Sequence, residues 1–359
     1  MTSATRAGAT TKEARPAHLL EIRDLVVRFS TDDGTVYAVN GVNLFVDQGE
    51  TLAVVGESGS GKSVTSLAVV RLLPATATVT GEVIFDGVRL TELPERSMRA
   101  IRGRDIAMVF QDPMTSLNPV LRIGEQIEET IRAHDGPDAK QRRARAIELL
   151  GFVGIPRPEE QLRRYPHEFS GGMRQRVMIA MALALEPKIL IADEPTTALD
   201  ATIQAQVLEL LAKLTANTGT AVVLITHDLG IIARMTQRVA VMYAGSIVES
   251  ASTTAMFARP RHPYTVGLLH SIPRLDAERG SLRPIEGAPP DLRQAPSGCP
   301  FAPRCAWRLD VCWDEMPPLE PVDPGHAVAC HNPVTPSEAT LGRPDRPGFT
   351  AAPPPGEVS

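Results

Sequence analysis

Eight consecutive residues, Gly56-Glu57-Ser58-Gly59-Ser60-Gly61-Lys62-Ser63, follow the pattern G-x-x-x-x-G-K-[ST]. Glycines at these places let a loop bend tightly and turn its backbone N–H groups onto phosphate oxygens. A helix opening at the end of the loop points its positive end at the same anion. In such a loop Lys62 reaches the β- and γ-phosphates of a nucleotide, and the Ser63 hydroxyl is a ligand for Mg²⁺. Gly56 to Val64 are therefore candidate nucleotide-binding residues. A second run, Ile189-Leu190-Ile191-Ala192-Asp193-Glu194, is apolar and ends in two carboxylates. That arrangement suits metal-assisted hydrolysis: Asp193 would hold Mg²⁺, directly or through water, and Glu194 would polarise the attacking water.

Both groups need rigid elements behind them. Thr51–Val55, Asp105–Phe110, Ile189–Ala192 and Ala221–Thr226 are short, apolar and rich in β-branched residues. They read as strands of a parallel sheet buried on both faces. Helical stretches lie between them: Val64–Leu73, Ala139–Leu150 and Ile203–Leu214. This alternation predicts an α/β fold. The glycine-rich loop then sits between a strand and a helix, as a phosphate site requires.

Composition bounds the rest. The 359 residues suffice for one large domain and a smaller one. A net charge of −5 argues against a nucleic-acid binder, which relies on many basic contacts to phosphates. No apolar run approaches the roughly 20 residues that span a bilayer. The first 17 residues lack the apolar core of a secretory signal, so a cytosolic protein is expected, with any membrane role supplied by partners. Of the 31 prolines, 18 fall after residue 270, and proline-dense chain builds neither long helices nor central strands. The organisation expected is a disordered tail over 1–18, an α/β nucleotide-binding domain over 19–259 with a helical part at about 112–180, a loop-rich appendage over 260–332, and a disordered tail over 333–359.

The stretch Phe169-Ser170-Gly171-Gly172-Met173-Arg174-Gln175-Arg176 narrows the nucleotide hydrolases that remain. It resembles the SGGxxQ signature of ABC ATPases and precedes the second carboxylate strand, as in that family. The resemblance covers about residues 19–258 and implies the P-loop NTPase ABC ATPase fold, with ATP and Mg²⁺. It also implies that Ser170, Gly171, Gly172 and Gln175 face the γ-phosphate of ATP bound to the other subunit of a head-to-tail dimer. Gln111, ending the Asp105–Phe110 strand, matches the Q-loop glutamine, placed near both the metal and the catalytic centre. Asp200, in Ala198-Leu199-Asp200, matches the D-loop, and His227 matches the switch histidine that contacts γ-phosphate. Phe29 falls where the family stacks adenine on an aromatic ring; a plain core phenylalanine is the other reading, and Tyr37 is a rival.

A finer resemblance extends to about residue 332. Asp112-Pro113-Met114-Thr115-Ser116-Leu117-Asn118-Pro119, Arg261-His262-Pro263-Tyr264-Thr265, Gly287-Ala288-Pro289-Pro290 and Gly298-Cys299-Pro300-Phe301 are similar to the oligopeptide/dipeptide importer ATPases of the D type. This implies a second, different ATPase as dimer partner, two membrane permease subunits, and an extracytoplasmic solute-binding protein acting indirectly. It places the chain peripherally on the cytoplasmic face of the inner membrane, with Asp112–Ile131 against the permease's coupling helix. The rival from another class is a soluble ABC ATPase acting on nucleic acid or ribosomes; the single ATPase unit without a coiled-coil insertion argues against it.

All four cysteines, Cys299, Cys305, Cys312 and Cys330, lie in the appendage, separated by five, six and seventeen residues. The spacing lacks the C-x2-C knuckle of structural zinc sites. Four thiolates at looser spacing suit a [4Fe–4S] cluster, which some members of the importer family carry. Zinc and free buried thiols are the alternatives. A metal would also staple a proline-rich segment with little core of its own. His326 and His331 flank Cys330 and are read as bystanders.

Overall fold

The computed structural model describes residues 18–111, 116–134, 136–196, 201–271 and 285–341. The four expected core strands form: β3 (Thr51–Val55), β6 (Ile106–Val109), β7 (Ile189–Asp193) and β8 (Ala221–Ile225). The last of the central set is β9 (Arg238–Tyr243). The pairs β9/β3, β3/β8, β8/β7 and β7/β6 are all parallel.

Alternation along these strands sends successive side chains to opposite, equally apolar faces. Ile189, Ile191, Val223 and Ile225 pack against an antiparallel sheet on one side. Leu190, Ala192, Val222 and Leu224 pack on the other side, against Ile123, Ile127, Leu150, Val177 and Ile179 of the helices. The antiparallel sheet consists of β1 (Leu20–Thr31), β2 (Gly34–Val46), β4 (Ala77–Phe85) and β5 (Val88–Arg89), in the order β2-β1-β4-β5. The sequence reading named none of these four strands. The period-2 pattern Leu20, Ile22, Leu25, Val27 is present but broken by a register shift between Ile22 and Leu25, where Asp24 takes a left-handed φ of 47°.

The helical layer holds Ile123–Arg132, Ala139–Phe152, Pro158–Gln161 and Gly171–Ala182. The chain after residue 260 does not stand apart. The strands β11 (Glu320–Asp323) and β12 (His326–Val328) extend the main sheet at β10 (Ser246–Ser252), giving the order β11-β12-β10-β9-β3-β8-β7-β6. Pro321 sits in the edge strand, where a missing N–H disrupts least. Tyr264, Phe301, Trp307 and Val334 share one apolar cluster with Ala53, Val55, Val239 and Val241 of the central strands. Among the described residues no helix is long and apolar enough to cross a membrane.

Candidate active site

Parallel strands deliver their C-terminal ends to one edge of the sheet, and crevices there are the usual ligand sites of open α/β sheets. Here β3 ends at Gly56, β7 ends at Asp193-Glu194, and β8 leads through Thr226 to His227. The glycine-rich loop leaves β3 and runs into the helix Lys62–Val69. Two of its glycines are required by contact: a Cβ on Gly56 would lie 2.1 Å from the Met242 carbonyl oxygen, and one on Gly61 would lie 2.6 Å from the Ala38 carbonyl oxygen. Gly61 caps the helix with a φ of 102°, a conformation that L side chains rarely adopt.

Lys62 is buried, and its Nζ donates to Gly56 O and Glu57 O, each at 2.8 Å, and to Ser60 Oγ at 3.3 Å. Burial lowers its pKa below the ordinary lysine value; the carboxylates of Glu194, Asp193 and Glu57 oppose that shift. Asp193, 4% exposed, accepts a hydrogen bond from the Ser63 side chain, and burial raises its pKa above the usual carboxylate value. Its Oδ1 is buried and makes no hydrogen bond among the described residues. A buried carboxylate oxygen left over beside a serine hydroxyl fits a hard cation that prefers oxygen ligands.

Glu194 takes a φ of 45°, unusual for a residue with a side chain. Such strain concentrates at functional sites. Its N–H donates to Ile225 O at 2.9 Å, which ties β7 to β8 beyond the last paired residues. Its carboxylate accepts from Gln111 Nε2 at 2.9 Å and lies 3.6 Å from His227 Nδ1. Gln111, Glu194 and His227, far apart in sequence, thus meet beside Lys62 and Asp193. The helix after His227, Leu229–Met235, is capped by the Asp228 carboxylate, which accepts from Gly230 N and Ile231 N.

The remaining sequence-predicted residues lie elsewhere. Ser170 caps the helix Gly171–Ala182, its Oγ accepting from Met173 N at 3.3 Å. Ser170 and Gly171 are exposed at that helix start, while Gly172 and Gln175 are buried. Phe29 is half-buried on β1, paired with Val36 and Ala77, and packs against the core between the sheets. Tyr37 carries the Arg28 guanidinium 5.2 Å from its ring centre. Asp200 and Asp112–Thr115 lie outside the described residues.

The cysteine reading needs correction. All four thiols are free, and Cys305 and Cys312 are buried. Burial pushes Cys299 up to about 11 and Cys330 up to about 12, with neighbouring cysteines adding to both. Yet among the described residues no group of three or more His, Cys, Asp or Glu side chains is arranged to hold a metal ion. The Sγ of Cys312 accepts from Leu309 N and that of Cys330 from Asn332 N, and Cys305 packs into the apolar cluster with Trp307 and Phe301. The expected [4Fe–4S] cluster is not supported, and no chemistry is assigned to it. His326 and His331 are engaged elsewhere, with Glu249 and with the Glu315 carbonyl.

Sequence reading missed two contacts to the glycine-rich loop. Tyr264 Oη accepts from Glu57 N at 2.8 Å, and Arg304 pairs with the Glu57 carboxylate at 2.8 Å. Neither partner lies within 200 positions of Glu57, so no local pattern announces them.

Comparison with known proteins adds the family. Residues 39–197 match the ABC transporter family, and residues 248–312 match the oligopeptide/dipeptide transporter C-terminal region. The chain is 51% identical over 317 residues to the oligopeptide transport ATP-binding protein OppD of Bacillus subtilis, covering 88% of each chain. It is 52% identical over 315 residues to the dipeptide transport ATP-binding protein DppD of the same organism, covering 87% of this chain and 94% of that one. An ATP-binding cassette solved as a dimer in a post-hydrolysis state, bound to ADP and Pi, superposes with a TM-score of 0.59 at 31% identity, over 65% of this chain and 98% of the other.

Proposed function

The chain belongs to the ABC transporter ATP-binding proteins of the oligopeptide/dipeptide type, and on that premise we propose that it powers uptake of di- or oligopeptides or related solutes. It is an ATP hydrolase coupled to transport. The observation that carries the reading is the meeting of Lys62, Ser63, Asp193, Gln111, Glu194 and His227 at one edge of the sheet. The soluble alternative, acting on nucleic acid or ribosomes, finds no support among the relatives, which are named for peptide transport.

The roles follow from the chemistry of the groups. Backbone N–H groups of Gly59 to Ser63 cradle the phosphates, and Lys62 exchanges loop carbonyls for phosphate oxygens, a charge-assisted bond in a site where its ammonium is poorly hydrated. Ser63 and Asp193, with Gln111 beside them, would hold Mg²⁺, which neutralises charge developing on the transferred phosphoryl group. Glu194 accepts the proton of the attacking water, and Gln111 orients its carboxylate. His227, beside Glu194, donates toward the γ-phosphate. Phe29 stacks the adenine. Ser170, Gly171, Gly172 and Gln175 complete the site of a second ATPase subunit, with Asp200 at the seam between the two.

The same reading supplies the remaining partners: two membrane permease subunits, a solute-binding protein outside the membrane, and peripheral attachment at the cytoplasmic face of the inner membrane. ATP favours the closed dimer because both halves of each site contact it only there, and this differential affinity shifts the transporter between its states. The test is complementation of a strain lacking the gene. Wild-type chain restores uptake of labelled di- and oligopeptides, and Glu194→Gln does not; uptake that never depends on the chain refutes the importer reading.

A further inference from the structure

The glycine-rich loop is held at two ends. Its later end is the start of the Lys62–Val69 helix. Its earlier end, Glu57, is held by the chain beyond residue 260. The Glu57 N–H donates to Tyr264 Oη at 2.8 Å. The Glu57 carboxylate accepts two bonds from Arg304, from Nη1 at 2.8 Å and from Nη2 at 3.1 Å. Arg304 has no donor left over: Nη1 also reaches Tyr243 Oη at 3.2 Å, Nη2 reaches Ile285 O at 3.2 Å, and Nε reaches Glu286 O at 2.9 Å. Its side chain is 5% exposed, and the rings of Tyr243 and Phe301 lie about it at 5.9 and 6.0 Å. A guanidinium with all five N–H groups engaged in one plane is a rigid support, which the single ammonium of a lysine cannot reproduce.

Glu57 matters to the nucleotide because its own carbonyl is one of the three acceptors of Lys62 Nζ. Gly59, at a φ of 77° and with open space where a Cβ would lie, leaves the backbone after Glu57 free to turn. Without an anchor, the arm that faces Lys62 would sample many positions, and binding would have to order it. A cavity of about 110 Å³ separates Ser58 and Gly59 from Pro289, Pro290 and Leu292, so the C-terminal segment also walls the loop.

We propose that Arg304 is a positioning residue for ATP binding, holding the Glu57 arm of the phosphate loop and making the C-terminal segment part of the nucleotide site. The inference rests on the reading of residues 56–63 as that loop. Binding of Mg-ATP to the full chain is measured by titration calorimetry, with thermal melting in parallel. Arg304→Gln is expected to raise Kd about ten-fold or more, the scale of one charge-assisted contact. The double variant Glu57→Gln with Arg304→Gln removes both charges, so no bare carboxylate is left to repel phosphate. It is expected to bind about ten-fold more weakly than wild type too, because the guanidinium's hold on the Glu57 side chain is lost in either case while only the Tyr264 Oη bond to the Glu57 N–H remains. Wild-type affinity in the folded double variant overturns the proposal, since charge alone would then explain the single one; so does wild-type affinity in Arg304→Gln. If these variants do not fold, Arg304→Lys decides, with a rise of about five-fold expected and no change overturning the inference. Lys62→Ala separates the two levels: wild-type affinity there refutes the phosphate-loop reading itself, whereas lost affinity there with an unchanged Arg304→Gln refutes only the role of Arg304.

Discussion

Replacing His262 by asparagine should flatten the acid side of the protein's stability curve. His262 is 1% exposed, and its Nδ1 accepts from Tyr264 N at 3.0 Å, capping the helix Pro263–His270. A ring accepting at Nδ1 is neutral, and Nε2 is buried without a hydrogen-bond partner among the described residues. Burial lowers the pKa from 6.5 to about 4, although the nearby Glu249 carboxylate pulls the other way. The folded state therefore binds fewer protons than the unfolded chain between pH 6.5 and 4. Stability from this group is present above the unfolded value and is lost as pH falls through that window. A gap of 2.5 units corresponds to about 3 kcal/mol in full, of which about 2 kcal/mol is lost between pH 7 and pH 5. Asparagine keeps a side-chain acceptor at the cap and does not titrate. Its smaller volume lowers stability by a similar amount at every pH. Urea unfolding of both proteins at pH 7, 6 and 5 isolates the titration: wild type should lose about 2 kcal/mol more than the variant across that range. Parallel curves, within about 0.5 kcal/mol, would show that His262 is not held neutral by burial.

Glu194→Gln keeps an acceptor for Gln111 but cannot take a proton; hydrolysis should fall by about 10²- to 10⁴-fold with ATP binding retained, as single-turnover assays will read. Gly56→Ala drives a Cβ to 2.1 Å from the Met242 carbonyl oxygen, so the variant should melt several degrees lower and lose measurable ATP binding; a normal melt with normal binding would contradict the packing described. Asp193→Asn removes the charge but not the shape beside Ser63, and the Mg²⁺ concentration for half-maximal ATPase should rise at least ten-fold. Because burial raises the Asp193 pKa, the Mg²⁺ requirement of the wild type should climb as pH falls, at a higher pH than for an exposed aspartate; a climb that begins no higher than for an exposed aspartate counts against Asp193 as the ligand.

Much of the candidate site was legible in one dimension because its parts are local. The loop from Gly56 to Ser63 is one turn between one strand and one helix, and its glycines and lysine are needed at fixed spacing whatever surrounds them. The core strands were legible because both faces are apolar, which leaves an unbroken run such as Ala221–Ile225. Three things were decided only by tertiary structure. The antiparallel sheet has one buried face and bulged registers, so its period slips within a strand. The four cysteines looked like one donor set because spacing carries no information about geometry; folding brings them near one another, but among the described residues no three or more His, Cys, Asp or Glu side chains are arranged to hold a metal ion. The partnership of Arg304 and Tyr264 with Glu57 joins segments more than 200 residues apart. A buried charge needs a partner wherever the fold brings one. Residue type therefore predicts that such a partner exists, and only the packing of β11, β12 and the C-terminal segment against the central sheet decides which residue it is.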